Sequence, residues 1–485
     1  MFWETGMLCS NSFSFSNECV IIKRNLTVWG VDALKKKFYA IGLVLLASLL
    51  TGCGFRTVDQ MYCIPRRTEE YTILQNTIEQ AMDGLEFASP SYGDNQQMVQ
   101  SADLDGDGKQ EYLVFARGNS EKPLKILIFH ETDNGKYVLL EMLQMNGSAF
   151  EQVDYVDVDG RPGSELVVGR RLSDQMMRIA AVFSFADGQS NQLINTIYAK
   201  FYTTDMDSDG KADLLVLREG ETDVSAGTAV LYTYENDAMV RSREIRLSQR
   251  IEQVKRTKVS RLQSGETALY ISSSMNDSAI VTDVLTVKDG ELINLNSGNK
   301  LAYSVRTLRN YFLYMDDIDG DGVMELPNLM DLRAAPGQTD GKRQQLVYWY
   351  SIDSEGYEIK KLFTFHNVDG GWYLRLNLDS MTAERLAVSK NGSGYTFYIW
   401  DETNEGAVPL FTVYSFTGKE REELATENNR FPLYRGENVV FAGKLEVGSG
   451  VYGITQESLT QDFSLIGVDW KQEGWGQTQP CDTHI

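Results

Sequence analysis

The chain has 485 residues, 42% of them hydrophobic, enough for two or three ordinary domains or one large repeat architecture. With 41 glycines against 9 prolines and 11% aromatics, it suits a turn-rich β protein better than a disordered one. A formal net charge of −22, from 46 basic and 68 acidic residues, argues against nucleic-acid binding, which needs a basic stripe.

The first distinctive stretch is Lys35-Lys36-Lys37 followed by an apolar run from Phe38 to Leu50. A positive cluster before a run too short to span a bilayer predicts a secretory signal. It ends in Leu50-Thr51-Gly52-Cys53, which resembles the bacterial lipobox. That resemblance implies cleavage before Cys53, lipidation of Cys53 and anchoring on the extracytoplasmic face of a cell membrane. Residues 1–34 fit neither a signal peptide nor a domain, so an over-extended start is expected, with Met7 or a later codon as the true one.

Residues 1–52 are thus assigned to the signal region, and residues 53–96 to the lipidated Cys, a tether and a short helix. The spacing of Tyr71, Leu74, Ile78 and Met82 predicts that helix between Thr68 and Met82. The five cysteines form no CxxC pair, which speaks against a zinc site. Cys63 and Cys481 could pair in an oxidising exterior, or remain two free thiols. The three histidines, His130, His366 and His484, are far apart, so no His-based metal or catalytic site is expected.

Residues 97–475 carry a repeat, and residues 476–485 read as a tail. The repeat is clearest at Asp103-Leu104-Asp105-Gly106-Asp107-Gly108-Lys109-Gln110-Glu111, with acids at loop positions 1, 3, 5 and 9. Oxygen ligands at this density suit a hard cation such as Ca²⁺. The acid closes the loop at position nine and an apolar strand follows, so it is not an EF-hand. The pattern recurs from Asp205 (Asp205, Asp207, Asp209, Asp213) and from Asp317 (Asp317, Asp319, Asp321, Glu325). A degenerate copy keeps Asp157, Asp159 and Glu165 but has Arg161 in place of the third acid, followed by Pro162. The starts lie 54, 48 and 112 residues apart, the last gap holding two units, with an acid-free copy expected near residue 260. A period near 50 is that of propeller blades.

In the first unit, Tyr112–Arg117, Leu124–Glu131, Tyr137–Met145 and Phe150–Tyr155 read as four strands. The second unit repeats them with Leu166–Arg170, Arg178–Phe185, Gln192–Ala199 and Phe201–Thr204. Beyond residue 330 the acids fade, but Gln345–Ile352, Lys361–Phe365 and Trp372–Leu376 continue the plan. Arg385–Ser389 and Tyr395–Trp400 open a sixth blade, and Val439–Leu445 a seventh, with Val451–Thr455 and Phe463–Val468 after it. The expectation is an all-β fold, a β-propeller of seven four-stranded blades, with six or eight as alternatives. Gln97–Ala102 would complete the last blade and close the ring.

The Asp-x-Asp-Gly-Asp-Gly-x-x-Glu loop with its apolar strand resembles the FG-GAP/VCBS repeat family, which includes the propeller heads of integrin α subunits. The resemblance implies about three structural Ca²⁺ ions. By position their ligands would be Asp103, Asp105, Asp107 and Glu111; Asp205, Asp207, Asp209 and Asp213; and Asp317, Asp319, Asp321 and Glu325. At the second loop Arg161 would neutralise its acids, leaving weak or no Ca²⁺ binding. The family also suggests protein or glycan partners and no catalysis. A polysaccharide-active enzyme using two carboxylates, and an envelope-assembly or sensing scaffold, stay open beside it. The aromatics Tyr348, Trp349, Tyr350, Trp372, Tyr373, Trp400, Trp470 and Trp475 are read as inter-blade core rather than a ligand face.

Overall fold

The computed structural model describes residues 69–466, except 173–176, 223, 277–278, 296–306, 312, 339–343, 402 and 404–405. Cys53, Cys63, Trp470, Trp475, Cys481, the signal region, the tether and the tail lie outside the described residues.

Several strands carry unbroken apolar runs, such as Leu113-Val114-Phe115-Ala116 and Ile126-Leu127-Ile128-Phe129, all fully buried. An unbroken run marks a strand covered on both faces. The coverage comes from neighbouring sheets packed face to face in chain order. The first sheet contains β1 (Glu86–Phe87), β2 (Val99–Ala102), β3 (Glu111–Arg117), β4 (Leu124–Glu131) and β5 (Tyr137–Met145). The second runs β6 (Ala149–Val156), β7 (Glu165–Arg171), β8 (Arg178–Ser184) and β9 (Asn191–Tyr198). The third is β10 (Lys200–Thr204), β11 (Asp213–Arg218), β12 (Thr228–Glu235) and β13 (Ala238–Arg241), with β14 (Ile245–Arg246) beside β12. The fourth is β15 (Val254–Arg261), β16 (Thr267–Asn276), β17 (Ala279–Lys288) and β18 (Glu291–Asn294).

The fifth sheet holds β19 (Leu326–Asp331), β20 (Gln345–Ile352), β21 (Glu358–Asn367) and β22 (Trp372–Leu376). The sixth holds β23 (Leu386–Asn391), β24 (Gly394–Trp400), β25 (Ala407–Thr417), β26 (Phe431–Arg435) and β27 (Val439–Leu445), with β27 between β25 and β26. The last strand, β28 (Phe463–Leu465), returns to the fifth sheet and pairs with β22. All strand pairings within sheets are antiparallel, so the fold is an all-β propeller-type stack of blades.

The described residues form six sheets, so six, the lower alternative, replaces seven. Val439–Leu445 does not open a seventh blade because it pairs with β25, from Phe411↔Leu445 to Thr417↔Val439. Val451–Thr455 is not a strand: a short 3-10 turn covers Ser449–Tyr452, and Thr455 caps helix Gln456–Asp462. The phase of the repeat also shifts by one strand. Residues 149–156 and 200–204 open the second and third sheets rather than finishing the preceding ones. Likewise Val99–Ala102 pairs with β3 in the first sheet, Val99↔Val114 to Ala102↔Glu111, and so does not complete the last blade.

A hydrophobic cluster fills each junction between consecutive sheets. Phe115 meets Phe150 edge-on at 5.2 Å between the first and second sheets. Phe365 meets Phe397 at 5.0 Å between the fifth and sixth. Each such buried ring contributes about 1.5–3 kcal/mol from burial. Tyr350 and Trp372 are fully buried in clusters between sheets, the inter-blade role read for them, whereas the equally buried Trp349 packs with Leu313, Ile318 and Val347 on the fifth sheet itself. The free face of the first sheet is covered by helix α1 (Glu69–Ala81), whose Leu74 and Ile78 pack on Val114, Ala116, Leu127 and Phe129. On the sixth sheet, Ala425 and Leu424 pack against Phe416, Val440 and Ala442. Among the described residues no hydrophobic cluster joins the sixth sheet to the first. No described helix is long and apolar enough to cross a membrane.

Candidate metal centres

Three of the acidic loops are hairpin turns, joining β2 to β3, β6 to β7 and β10 to β11. The fifth-sheet loop precedes β19 and is closed by an isolated bridge, Asp316↔Glu325. In the fourth sheet a shorter turn, residues 262–266, takes the same place. It keeps a buried Leu262 and one acid, Glu266, but none of the aspartates.

One hydrogen-bond scheme holds all four loops. The position-two amide donates to the position-nine carboxylate: Leu104 to Glu111 at 2.9 Å, Val158 to Glu165 at 2.7 Å, Met206 to Asp213 at 2.9 Å and Ile318 to Glu325 at 3.1 Å. The position-one carboxylate accepts from amides further round the turn. Gly106 and Gly108 donate to Asp103 at 2.8 and 3.0 Å, and Gly320 and Gly322 to Asp317 at 2.8 and 2.9 Å. Position four needs the left-handed backbone, with φ of 76°, 77° and 78° at Gly106, Gly160 and Gly320. In the third loop Ser208 occupies it at φ 63°.

This wrapping gathers carboxylate oxygens. Ligand atoms of Asp103, Asp105 and Asp107 lie within 4.8 Å of one another, as do those of Asp205, Asp207 and Asp213, and those of Asp317, Asp319 and Glu325. Oxygens bound to one Ca²⁺ at about 2.3–2.6 Å span such distances, so the donor sets suit a hard divalent cation. The position-nine acids are the innermost: Glu111, Glu165, Asp213 and Glu325 are 1%, 3%, 4% and 0% exposed. A carboxylate buried among others resists ionising without a cation. Burial accordingly pushes Asp213 up to about 7, with Asp207, Asp209 and Asp205 adding repulsion. Two position-five acids stand outside the gathered sets. Asp209 is bridged by Lys211 Nζ at 2.7 Å, and Asp321 accepts the Val323 amide at 2.9 Å.

In the second loop Asp157, Asp159 and Glu165 also converge within 4.8 Å. Here Arg161 supplies the positive charge: its Nη2 lies 2.6 Å from Asp159 Oδ2. Of the three acids that it was expected to neutralise, the guanidinium pairs with Asp159.

The structure brings in one residue that sequence reasoning set aside. His130 Nδ1 lies 2.9 Å from Glu111 Oε1, and Asp105, Glu111 and His130 form a further convergent set. The histidines were set aside because they lie far from one another in sequence, but one of them, His130, lies against the first acidic loop. The signal was the β3–β4 register: Tyr112 faces Phe129, so Glu111 faces His130.

The loops also touch one another. Ser164 N–H donates to Asp103 O at 2.9 Å, and Ala212 N–H to Asp157 O at 2.7 Å. Met324 N–H reaches Arg261 O at 3.3 Å. Gly163 sits so close to the first loop that a Cβ would stand 2.6 Å from Leu104 O.

Neither a family model nor a curated protein sequence matches the chain. Among solved structures, it is similar to the exotype rhamnogalacturonan lyase YesX at 12% identity, with 65% of this chain and 76% of that one covered and a TM-score of 0.28. A propeller domain of the Trilobed protease from Pyrococcus furiosus matches at 10% identity, covering 68% and 90%, TM-score 0.26. TolB from Acinetobacter baumannii matches at 12% identity, covering 71% and 70%, TM-score 0.22. Scores this low add no weight to the architecture, which rests on the strand pairings.

Proposed function

We propose that the chain is a bacterial lipoprotein, anchored through Cys53 on the extracytoplasmic face of the cell membrane. Its propeller, of the FG-GAP/VCBS type and clamped by Ca²⁺, binds an extracellular protein or glycan rather than catalysing a reaction. The observation that carries this reading is the loop scheme. The same turn gathers carboxylates at the same joint of three sheets, which is the pattern of a repeated structural clamp rather than of a single catalytic pair. When bound, Ca²⁺ would supply the charge that the clustered acids lack. The protein side would be left to hold the blades in register for a partner.

The test is capture of cell-wall glycans and envelope proteins by the soluble form starting at residue 54, in Ca²⁺ and in chelator. Calcium-dependent capture without chemical change of the partner supports the reading, and turnover of a polysaccharide overturns it. Cys53→Ser should release the full chain from membranes; retention there removes the anchor from the proposal.

A further inference from the structure

The four loops differ at one position outside the repeat itself, the residue that faces the position-nine acid from the next strand. In the second sheet Leu166 pairs with Phe183, so Glu165 faces Ser184. In the third, Leu214 pairs with Tyr232, so Asp213 faces Thr233. In the fifth, Leu326 pairs with Tyr350, so Glu325 faces Ser351. In the first it is His130. Three loops thus offer a hydroxyl where the first offers an imidazole nitrogen.

We propose that the first loop is a mixed nitrogen–oxygen site, with His130, Glu111 and Asp105 as ligands, selective for a borderline divalent transition metal such as Zn²⁺. The inference rests on reading the loops as cation sites. Imidazole with carboxylates suits such metals, whereas Ca²⁺ takes oxygen ligands. The geometry is that of a site closed on itself. At metal–ligand distances of about 2.0–2.1 Å, two tetrahedral ligand atoms stand about 3.3 Å apart. His130 Nδ1 and Glu111 Oε1 are 2.9 Å apart. A small opening lets a metal take the place of the hydrogen between them. Glu111 is held for this by its second oxygen, which accepts the Leu104 amide. Asp105 belongs both to this set and to the all-oxygen set with Asp103 and Asp107. Binding at His130 therefore draws Asp105 away from the set that would hold Ca²⁺.

The test titrates the purified full chain with Zn²⁺, and with Co²⁺ followed by visible absorption, against His130→Gln. Ca²⁺-dependent melting is measured on both proteins. The expected result is one tight Zn²⁺ site and a Co²⁺ band that reports a nitrogen ligand. His130→Gln should weaken both at least about tenfold and leave the Ca²⁺ response of the other loops in place. Thr233→His should add a second Zn²⁺ site, a gain that damage to the fold cannot mimic. Zn²⁺ binding unchanged by His130→Gln overturns the proposal. So does equal weakening of Zn²⁺ and Ca²⁺, which would make His130 a positioning residue for Glu111. Ca²⁺ stabilisation without any Zn²⁺ or Co²⁺ binding overturns it too, while leaving the cation reading of the loops standing. No response to any of the three ions overturns both.

Discussion

The Ala212 amide donates to the Asp157 carbonyl at 2.7 Å, tying the third acidic loop to the second. Ser164 does the same for the second loop and the first, donating to Asp103 at 2.9 Å. The loops are therefore joints between adjacent sheets as well as turns within one. A cation that stiffens one loop also fixes the carbonyl on which the next one hangs.

Calcium should raise the melting temperature of the full chain. A site occupied at 100 times its dissociation constant contributes about 2.7 kcal/mol. Asp317→Asn should remove one such increment, because Asp317 belongs to the convergent set and also holds the Gly320 and Gly322 amides. Differential scanning calorimetry in Ca²⁺ and in chelator measures it. An unchanged melting temperature in both would count against the clamp.

Replacing Arg161 with Asp should convert the degenerate loop. The substitution removes the cation paired with Asp159 and restores the missing third acid beside Asp157, Asp159 and Glu165. Equilibrium dialysis with radioactive Ca²⁺ should find one more ion bound per chain than in the unaltered protein.

At Gly163 even a methyl group should be costly. The added Cβ would lie 2.6 Å from Leu104 O and 2.9 Å from Gly106 N, at a residue with φ of 107°. Gly163→Ala should destabilise by about 1–3 kcal/mol. Hydrogen exchange should show the first loop loosening as well as the second. Conversely, Ser208→Gly should stabilise by up to about 1 kcal/mol, because Ser208 holds the left-handed backbone that glycine supplies at the same place in the other loops.

Acid should weaken the fifth sheet through His366. Burial lowers its imidazole to about 3, and its Nε2 lies 2.7 Å from Thr364 Oγ1 under a stacked Tyr373. The unfolded chain takes up a proton near pH 6.5 that the folded one refuses, so it binds more protons between about 6.5 and 3. Stability is full above that window and falls by about 1.4 kcal/mol per pH unit inside it. His366→Gln should flatten this part of the stability-against-pH curve measured by urea unfolding.

What could be read from the sequence depended on how local each signal was. The acidic loops were visible because position, residue type and turn geometry all fall within nine residues. Leu124–Glu131, Tyr137–Met145 and Gln345–Ile352 have the expected limits, since apolar runs bounded by turn residues define them. Sheet membership was not local. The run at 149–156 looks the same whether it ends one sheet or begins the next, and only its pairing with β7 decides. His130 was missed for the same reason, because its partner lies across a hairpin. At Val451–Thr455 β-branched residues suggested a strand, while the reciprocal Thr455–Ser458 capping box made Thr455 the start of a helix.

The last strand orders events in time. Phe463, Ser464 and Leu465 pair with Leu374, Tyr373 and Trp372, and Phe463 lies 5.2 Å from Phe441 of the sixth sheet. The fifth sheet is thus finished by residues made about 90 positions after its fourth strand, with the entire sixth sheet synthesised in between. Until residue 465 has emerged, the β22 edge stays open to any passing strand. A chain stalled or clipped before that point would lack the strand that covers β22, and the joint between the fifth and sixth sheets would lack Phe463.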